Sequence, residues 1–408
     1  MLEKSYPSYY AYIANNLSLI GIVLEKQMKF DEALEIYNRA LKMQEDFYSP
    51  EHIELIDTLA NISHNLSIQE KVDEALVFSQ RILTIEQNNL SSDHVSISYS
   101  FNKMGHLMEK KKEFTQAIQF HQQALTIQQK CFPLGHSSII TTLQFIGKIY
   151  KNQCQYDQAL EYYQQALDIN EKCYSSNHIQ LASNFIRIGD VLSAQEKFDD
   201  ALDFQNRALT IQEKHLPSSY TAVVNILMDI GRIKVKQRNF DEALDDFSRA
   251  VTLLQEYGPL NHSELVKSLQ WIAWVWNEKR CYHRAIEYLQ QCLYIQEASL
   301  SPEHLSIATT LSDLAEVQRT RYEYQLSLIY EMKYYSIIEK VLSPDHEDII
   351  NSLSNIAQCY EHLNELQIAL KYYQRILTIY EQSQSYSFDQ KQTVIDKINE
   401  LSTQINEE

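Results

Sequence analysis

"FDEALEIYNRAL", residues 30–41, returns as "VDEALVFSQRIL" at 72–83, "FTQAIQFHQQAL" at 114–125 and "YDQALEYYQQAL" at 156–167. It continues as "FDDALDFQNRAL" at 198, "FDEALDDFSRAV" at 240 and "YHRAIEYLQQCL" at 282, with looser copies "YQLSLIYEMKYY" at 324 and "LQIALKYYQRIL" at 366. The small residue of each copy is Ala33, Ala75, Ala117, Ala159, Ala201, Ala243, Ala285, Ser327 and Ala369, a step of 42 without insertion or deletion. Taking it as position zero, a second small residue stands twelve earlier: Gly21, Ser63, Gly105, Gly147, Gly189, Gly231, Ala273, Ala315 and Ala357. Large apolar residues hold the positions sixteen before zero (Leu17, Leu59, Phe101 onward) and ten after it (Met43, Ile85, Ile127 onward). Apolar spacings of three, four and seven are helical. Each unit therefore reads as two helices that cross closely at the two small positions.

The composition agrees. Gly and Pro number only 7 each in 408 residues, so turns are few and short. All the prolines fall 25 or 26 residues before zero, and Ser49-Pro50-Glu51, Ser301-Pro302-Glu303 and Ser343-Pro344-Asp345 predict a Ser N-cap with Pro in the first helical position. A net charge of −18 argues against nucleic acid or an anionic membrane as partner. No apolar run approaches the ~20 residues of a membrane span, and no secretory signal opens the chain. Six cysteines without a CxxC pair suggest free thiols and a cytoplasmic setting.

The small and large apolar positions resemble the signature of the tetratricopeptide repeat. The 42-residue unit looks like the longer repeats of kinesin light chains and nephrocystin-type proteins. The resemblance implies an all-α, right-handed α-solenoid of antiparallel helix pairs. Nine repeats would span 8–385 as one solenoid, followed by a capping helix and tail at 386–408.

Seven histidines share the position 23 before zero: His52, His94, His136, His178, His262, His304 and His346. Stacked repeats would space them ~10 Å apart, too far to share a zinc held at ~2 Å, so first-turn bonds to backbone are the expectation. No metal, cofactor or catalytic motif is recognised, and no enzyme activity is expected.

In such arrays the first helix of each repeat lines the concave face. By that resemblance the groove positions lie 18, 15, 11, 8 and 7 before zero. They place Lys148, Lys151, Met228, Arg232, Val235, Lys236, Lys267 and Trp274 along the middle of the groove. Basic residues with apolar anchors would suit a protein or peptide partner carrying an acidic short motif. The same lysines are also what a solvated helix face contains. Of the three tryptophans, Trp276 reads as core, Trp271 as half-buried towards the neighbouring repeat, and Trp274 as exposed on the groove. Tyr334, where most repeats have Ala, predicts an irregular eighth repeat. The implied function is a non-enzymatic interaction scaffold, in one version a kinesin light chain-like cargo adaptor. The alternative is the regulatory or targeting region of a larger multidomain enzyme. The oligomeric state is not legible.

Overall fold

The computed structural model describes residues 7–133, 135–173, 178–258, 262–383 and 388–407. Among them are nineteen α-helices, one short 3₁₀ turn and no strand. None of these helices is long and apolar enough to cross a membrane. The chain divides into two compact units, residues 1–211 and 212–408.

The first unit holds α1 (Pro7–Lys26), α2 (Phe30–Phe47), α3 (Ile56–Ile68), α4 (Val72–Asn89), α5 (Val95–Lys110), α6 (Phe114–Cys131), α7 (Ser137–Asn152), α8 (Tyr156–Cys173), α9 (Ile179–Ala194) and most of α10 (Phe198–Glu213). The second holds α11 (Tyr220–Lys236), α12 (Phe240–Tyr257), α13 (His262–Glu278), α14 (Tyr282–Ser299), α15 (Leu305–Thr320), α16 (Tyr324–Val341), α17 (Glu347–His362), α18 (Leu366–Gln382) and α19 (Phe388–Glu407). Odd helices are the first of each repeat and even ones the second. Within each unit, partners such as α3 and α4 pack together, and α4 packs on α5 of the next repeat. This is the predicted all-α solenoid packing, seen in each unit separately.

The small positions explain the pairing. Every residue at position zero is fully buried, Ser327 included. The glycine twelve before zero faces a large side chain four after zero: Gly21 meets Tyr37, Gly147 meets Tyr163 and Gly231 meets Phe247. A Cβ on Gly231 would lie 2.4 Å from the Phe247 ring. In repeat two the glycine becomes Ser63 and the ring becomes Ser79, their hydroxyls 2.7 Å apart. The crossing thus accepts a small residue from one helix against different partners from the other, and its chemistry changes with them. Apolar residues complete the core, as where Leu55, Leu59, Ile62 and Leu66 pack on Ala33, Tyr37 and Leu41. Burying each such Leu or Ile contributes about 1.5–3 kcal/mol. At the far end α19 lies on α18, closing Leu401 into the core with Val394, Ile398 and Ile405 beside it.

Two local devices recur with the same period. Between the helices of each repeat one residue adopts a left-handed conformation: Met28, Glu70, Lys112, Cys154, Glu196, Arg238, Arg280, Tyr322 and Asn364, with φ between 58° and 65°. Its N–H returns to the carbonyl three before it, and the next N–H to the carbonyl five before that. In repeat one these are Met28 to Glu25 at 2.8 Å and Lys29 to Leu24 at 3.0 Å. This paired closure satisfies the last carbonyls of the first helix, and glycine is its usual centre. No glycine serves here, so each turn bears about 1–2 kcal/mol of strain.

The second device corrects a sequence expectation. Ser49, Ser301 and Ser343 do not cap helices, and Pro50 is not the first helical residue. Each serine opens a β-turn that His52, His304 or His346 closes by donating its N–H to the serine carbonyl. The histidine then caps the helix. His94 Nδ1 accepts the Ser96 N–H at 3.2 Å, and His52, His136, His178, His304 and His346 do the same two residues on. Proline favours the second position of such turns as strongly as a helix start, so the motif alone did not separate them. The histidine row bonds backbone, as expected; the side chain of His262 lies outside the described residues.

Repeat eight is regular in its helices: α16 has the 18 residues of α2, α4 and α6. Tyr334 packs half-buried against the core cluster of the last repeats.

Candidate functional site

On the second unit, α11, α13 and α15 open a cavity of about 1110 Å³. Six of the eight expected groove residues line it: Met228, Arg232, Val235 and Lys236 from α11, and Lys267 and Trp274 from α13. Lys148 and Lys151 belong to the first unit and do not line it.

The tryptophans of α13 divide as 100° per residue requires. Trp274 is 43% exposed at the cavity. Trp271 is half-buried, stacked on Phe247 of the preceding repeat at 5.8 Å and edge-on to Trp274 at 5.9 Å. Trp276 points away from the cavity and packs with Ala285, Ile286 and Leu289 of its own repeat. It is only partly buried, where full burial was expected. Its outer face is covered by the Arg284 guanidinium, 4.3 Å from the ring centroid, with the Lys279 ammonium at 5.2 Å.

Electrostatics correct the expected basic lining. Lys148 pairs with Glu109 at 2.8 Å and Lys151 with Asp190 at 3.0 Å. Burial works to raise the Glu109 carboxyl, but bonds from His106 and Lys148 outweigh it and hold it at about 2. In the cavity, Arg232 pairs with Asp229 and Lys267 with Glu264 at 2.8 Å, each one turn back on the same helix. These surface pairs are worth about 0–1 kcal/mol and exchange readily, yet they cancel most of the positive field.

Carboxylates line the cavity as well: Glu278 at the end of α13, and Asp313 and Glu316 on α15. Burial, with the nearby Glu316 charge, pushes the Asp313 carboxyl up to about 6. The Asn277 Oδ1, also at the cavity, is buried without a hydrogen-bond partner. The charges that line the cavity are thus Arg232, Lys236 and Asp229 from α11, Lys267, Glu264 and Glu278 from α13 beside the Trp274 indole, and carboxylates alone from α15.

Sequence reasoning missed Asp229 and Asp313 as cavity residues, and placed Trp271 at the joint between repeats without its edge on the cavity; all three share the position 14 before zero. The row carried a signal. It reads Leu19, Asn61, Lys103, Phe145, Arg187, Asp229, Trp271, Asp313 and Asn355, a mixture that a core row could not hold.

A family model described as Tetratricopeptide repeat matches residues 12–83, 138–214 and 332–382. No curated protein matches the chain. Among solved structures, aspartyl phosphate phosphatase F from Bacillus subtilis aligns over 92% of this chain and 94% of its own, with 15% identity and a TM-score of 0.53. The quorum sensor NprR from B. thuringiensis aligns over 90% and 97%, with 10% identity and a TM-score of 0.54. TPR-like repeats from a kinesin light chain of Podosopora anserina align over 52% and 99%, with 18% identity and a TM-score of 0.47. Identities this low report the fold alone. The period, the buried small positions and the family match agree: the chain is built of tetratricopeptide repeats, here 42 residues long.

Proposed function

We propose that the chain is a non-catalytic interaction scaffold of the cytoplasm that holds a peptide segment along its first helices. The observation that carries this reading is the cavity on the second unit. It is about 1110 Å³, has an exposed indole at its centre, and is lined by the rows expected for a groove. Its size is about that of a specific ligand site, and its lining of mostly polar residues suits a charged segment. Arg232, Lys236 and Lys267 supply an end suited to an acidic residue of the motif, and Met228 and Trp274 supply anchors. The reading takes nine repeats over 8–385 as one solenoid, with 386–408 as its cap. The 42-residue period supports the narrower version in which the bound segment is cargo, as in a kinesin light chain-like adaptor.

The test compares Trp274→Ala with Trp276→Ala in thermal unfolding and in affinity capture of partners. Trp276→Ala removes a packed ring and should destabilise by about 3 kcal/mol. Trp274→Ala should leave the melting temperature within a degree or two and abolish capture. If Trp274→Ala unfolds the protein as badly as Trp276→Ala, or captures the same partners as wild type, the groove reading falls.

A further inference from the structure

The acidic wall of the cavity asks for a donor that the chain itself does not supply. Among the described residues Asp313 has no hydrogen bond or ion pair to a cation, although it is largely buried and lines the cavity together with Trp274. The nearby cations are committed elsewhere: Arg232 to Asp229 and Lys267 to Glu264. Glu316 and Glu278 complete the acceptors, and Trp274 presents an open aromatic face.

We propose that this wall binds the guanidinium of an arginine side chain in the bound peptide, stacked against Trp274, with Asp313 and Glu316 accepting its N–H groups. This rests on the groove reading above and names what its acidic end recognises. A guanidinium fits better than an ammonium for two reasons. It carries five N–H donors in a plane, enough for two carboxylates together. Its flat face stacks on indole, where an ammonium must remain hydrated. The same chain already sets guanidinium groups over aromatic rings, with Arg284 over the Trp276 indole at 4.3 Å and Arg207 over the Phe185 ring at 4.0 Å. The burial that lifts the Asp313 carboxyl to about 6 fits a site completed by an incoming cation.

The experiment titrates the full chain with N-acetyl-arginine methylamide, using saturation-transfer NMR and tryptophan fluorescence. The neutral isostere N-acetyl-citrulline methylamide and N-acetyl-lysine methylamide are the comparisons. Saturable binding of the arginine probe is expected. It should be about tenfold or more weaker for citrulline, the loss of one charge-assisted contact. Asp313→Asn should weaken it by a similar factor, and Lys340→Gln, on an even helix, should not. Circular dichroism confirms that each variant is folded. Equal binding of the citrulline probe, no binding of the arginine probe, or an unchanged affinity in Asp313→Asn overturns the proposal. A random peptide library panned in parallel separates this from the groove reading. Peptides that need Trp274 but show no arginine enrichment would sustain the groove and overturn the guanidinium site. Failure to select any peptide would count against the groove, while the small probes still decide the pocket.

Discussion

Gly231→Ala should destabilise the second unit by about 1–2 kcal/mol, although glycine to alanine inside a helix ordinarily stabilises it by ~1 kcal/mol. The reason is the ring it faces. A Cβ at Gly231 would sit 2.4 Å from Phe247 Cε1, 2.7 Å from Cζ and 2.8 Å from Cδ1. Carbon atoms in good contact are ~3.5–4.0 Å apart, so the ring or the helix must retreat by about 1 Å. Phe247 cannot yield cheaply. It is fully buried with Ala243, Val235, Ile272 and Val275 around it, and Trp271 is stacked on it. Overpacking of this kind costs about 1–3 kcal/mol, which outweighs the propensity gain. The next repeat shows the remedy, since Ala273 there is matched by Leu289. Phe247→Leu alone should cost about 1–2 kcal/mol through the volume it vacates. The double variant should be no less stable than Phe247→Leu, giving a favourable coupling of about 1–2 kcal/mol. The assay is urea unfolding of all four proteins, followed by circular dichroism and by the fluorescence of the tryptophans on α13. A neutral or stabilising Gly231→Ala, or penalties that simply add, would refute the volume-matching argument for the crossing.

Three further outcomes follow from the structure. His121 is fully buried over Gly105, and burial lowers its pKa to about 4 against the effects of Glu109, which raises it, and of His106 and Lys148, which lower it further. Between pH 6.5 and 4 the unfolded chain binds the proton that the folded one refuses, so stability should fall by on the order of 2–3 kcal/mol as pH drops through that window. His121→Tyr, copying Tyr37 and Tyr163 over their glycines, should flatten that slope in pH-resolved urea melts; an unaltered slope would exonerate His121. Asp313 has the opposite sign: with its carboxyl raised to about 6, the folded state holds the proton more tightly, and stability falls as pH rises from about 4 to 6. Asp313→Asn should therefore stabilise the protein at pH 7.5 by on the order of 1–2 kcal/mol, after allowance for screening, and have little effect at pH 4; equal effects at both would refute this. Glu196→Gly should stabilise by about 0.5–1 kcal/mol, because it relieves the left-handed strain and more than offsets the entropy lost from the unfolded chain. A lower urea midpoint for that variant would show that the turn is not strained.

The period made the scaffold legible. Alanine at zero and glycine twelve earlier are size constraints, and size is written in the residue type. The left-handed turns were not legible, because Met28, Glu70, Lys112 and Tyr322 share no side-chain property. The strain is a backbone matter that the helices on both sides impose. The helix starts were misplaced by a few residues because Ser-Pro-Glu suits a β-turn as well as a helix N-terminus. The groove rows were legible by resemblance, but the sign of the groove was not. Lys148 finds Glu109 in the preceding repeat, Lys151 finds Asp190 in the next, and Arg232 finds Asp229 one turn back. Such pairing depends on which rows face each other across repeats, and counting charges along one helix face does not reveal it.

The rows that repeat hold the fold, and the rows that vary hold the site. Eleven before zero the second unit reads Arg232, Trp274, Glu316 and Gln358. No packing rule demands that succession, since each position is on the open face of its helix. Cation, indole and carboxylate in consecutive repeats give the path along α11, α13 and α15 a direction. A segment lying with its acidic residue at Arg232 and its arginine at Glu316 meets opposite charge at both ends; reversed, it meets like charge at both. Asp313 sharpens this discrimination because its charge is recessed and has no internal partner. A carboxylate held there lowers the stability of the empty protein at neutral pH, and a packed apolar residue of similar size would not. That stability deficit and the polarity of the path have one explanation in common, an arginine arriving from outside in one orientation only. A peptide bearing an acidic residue and an arginine two repeats apart should therefore bind at least about tenfold more tightly than its sequence-reversed form, as like-charge contacts at both ends require. Equal affinities in calorimetry would remove the directional reading.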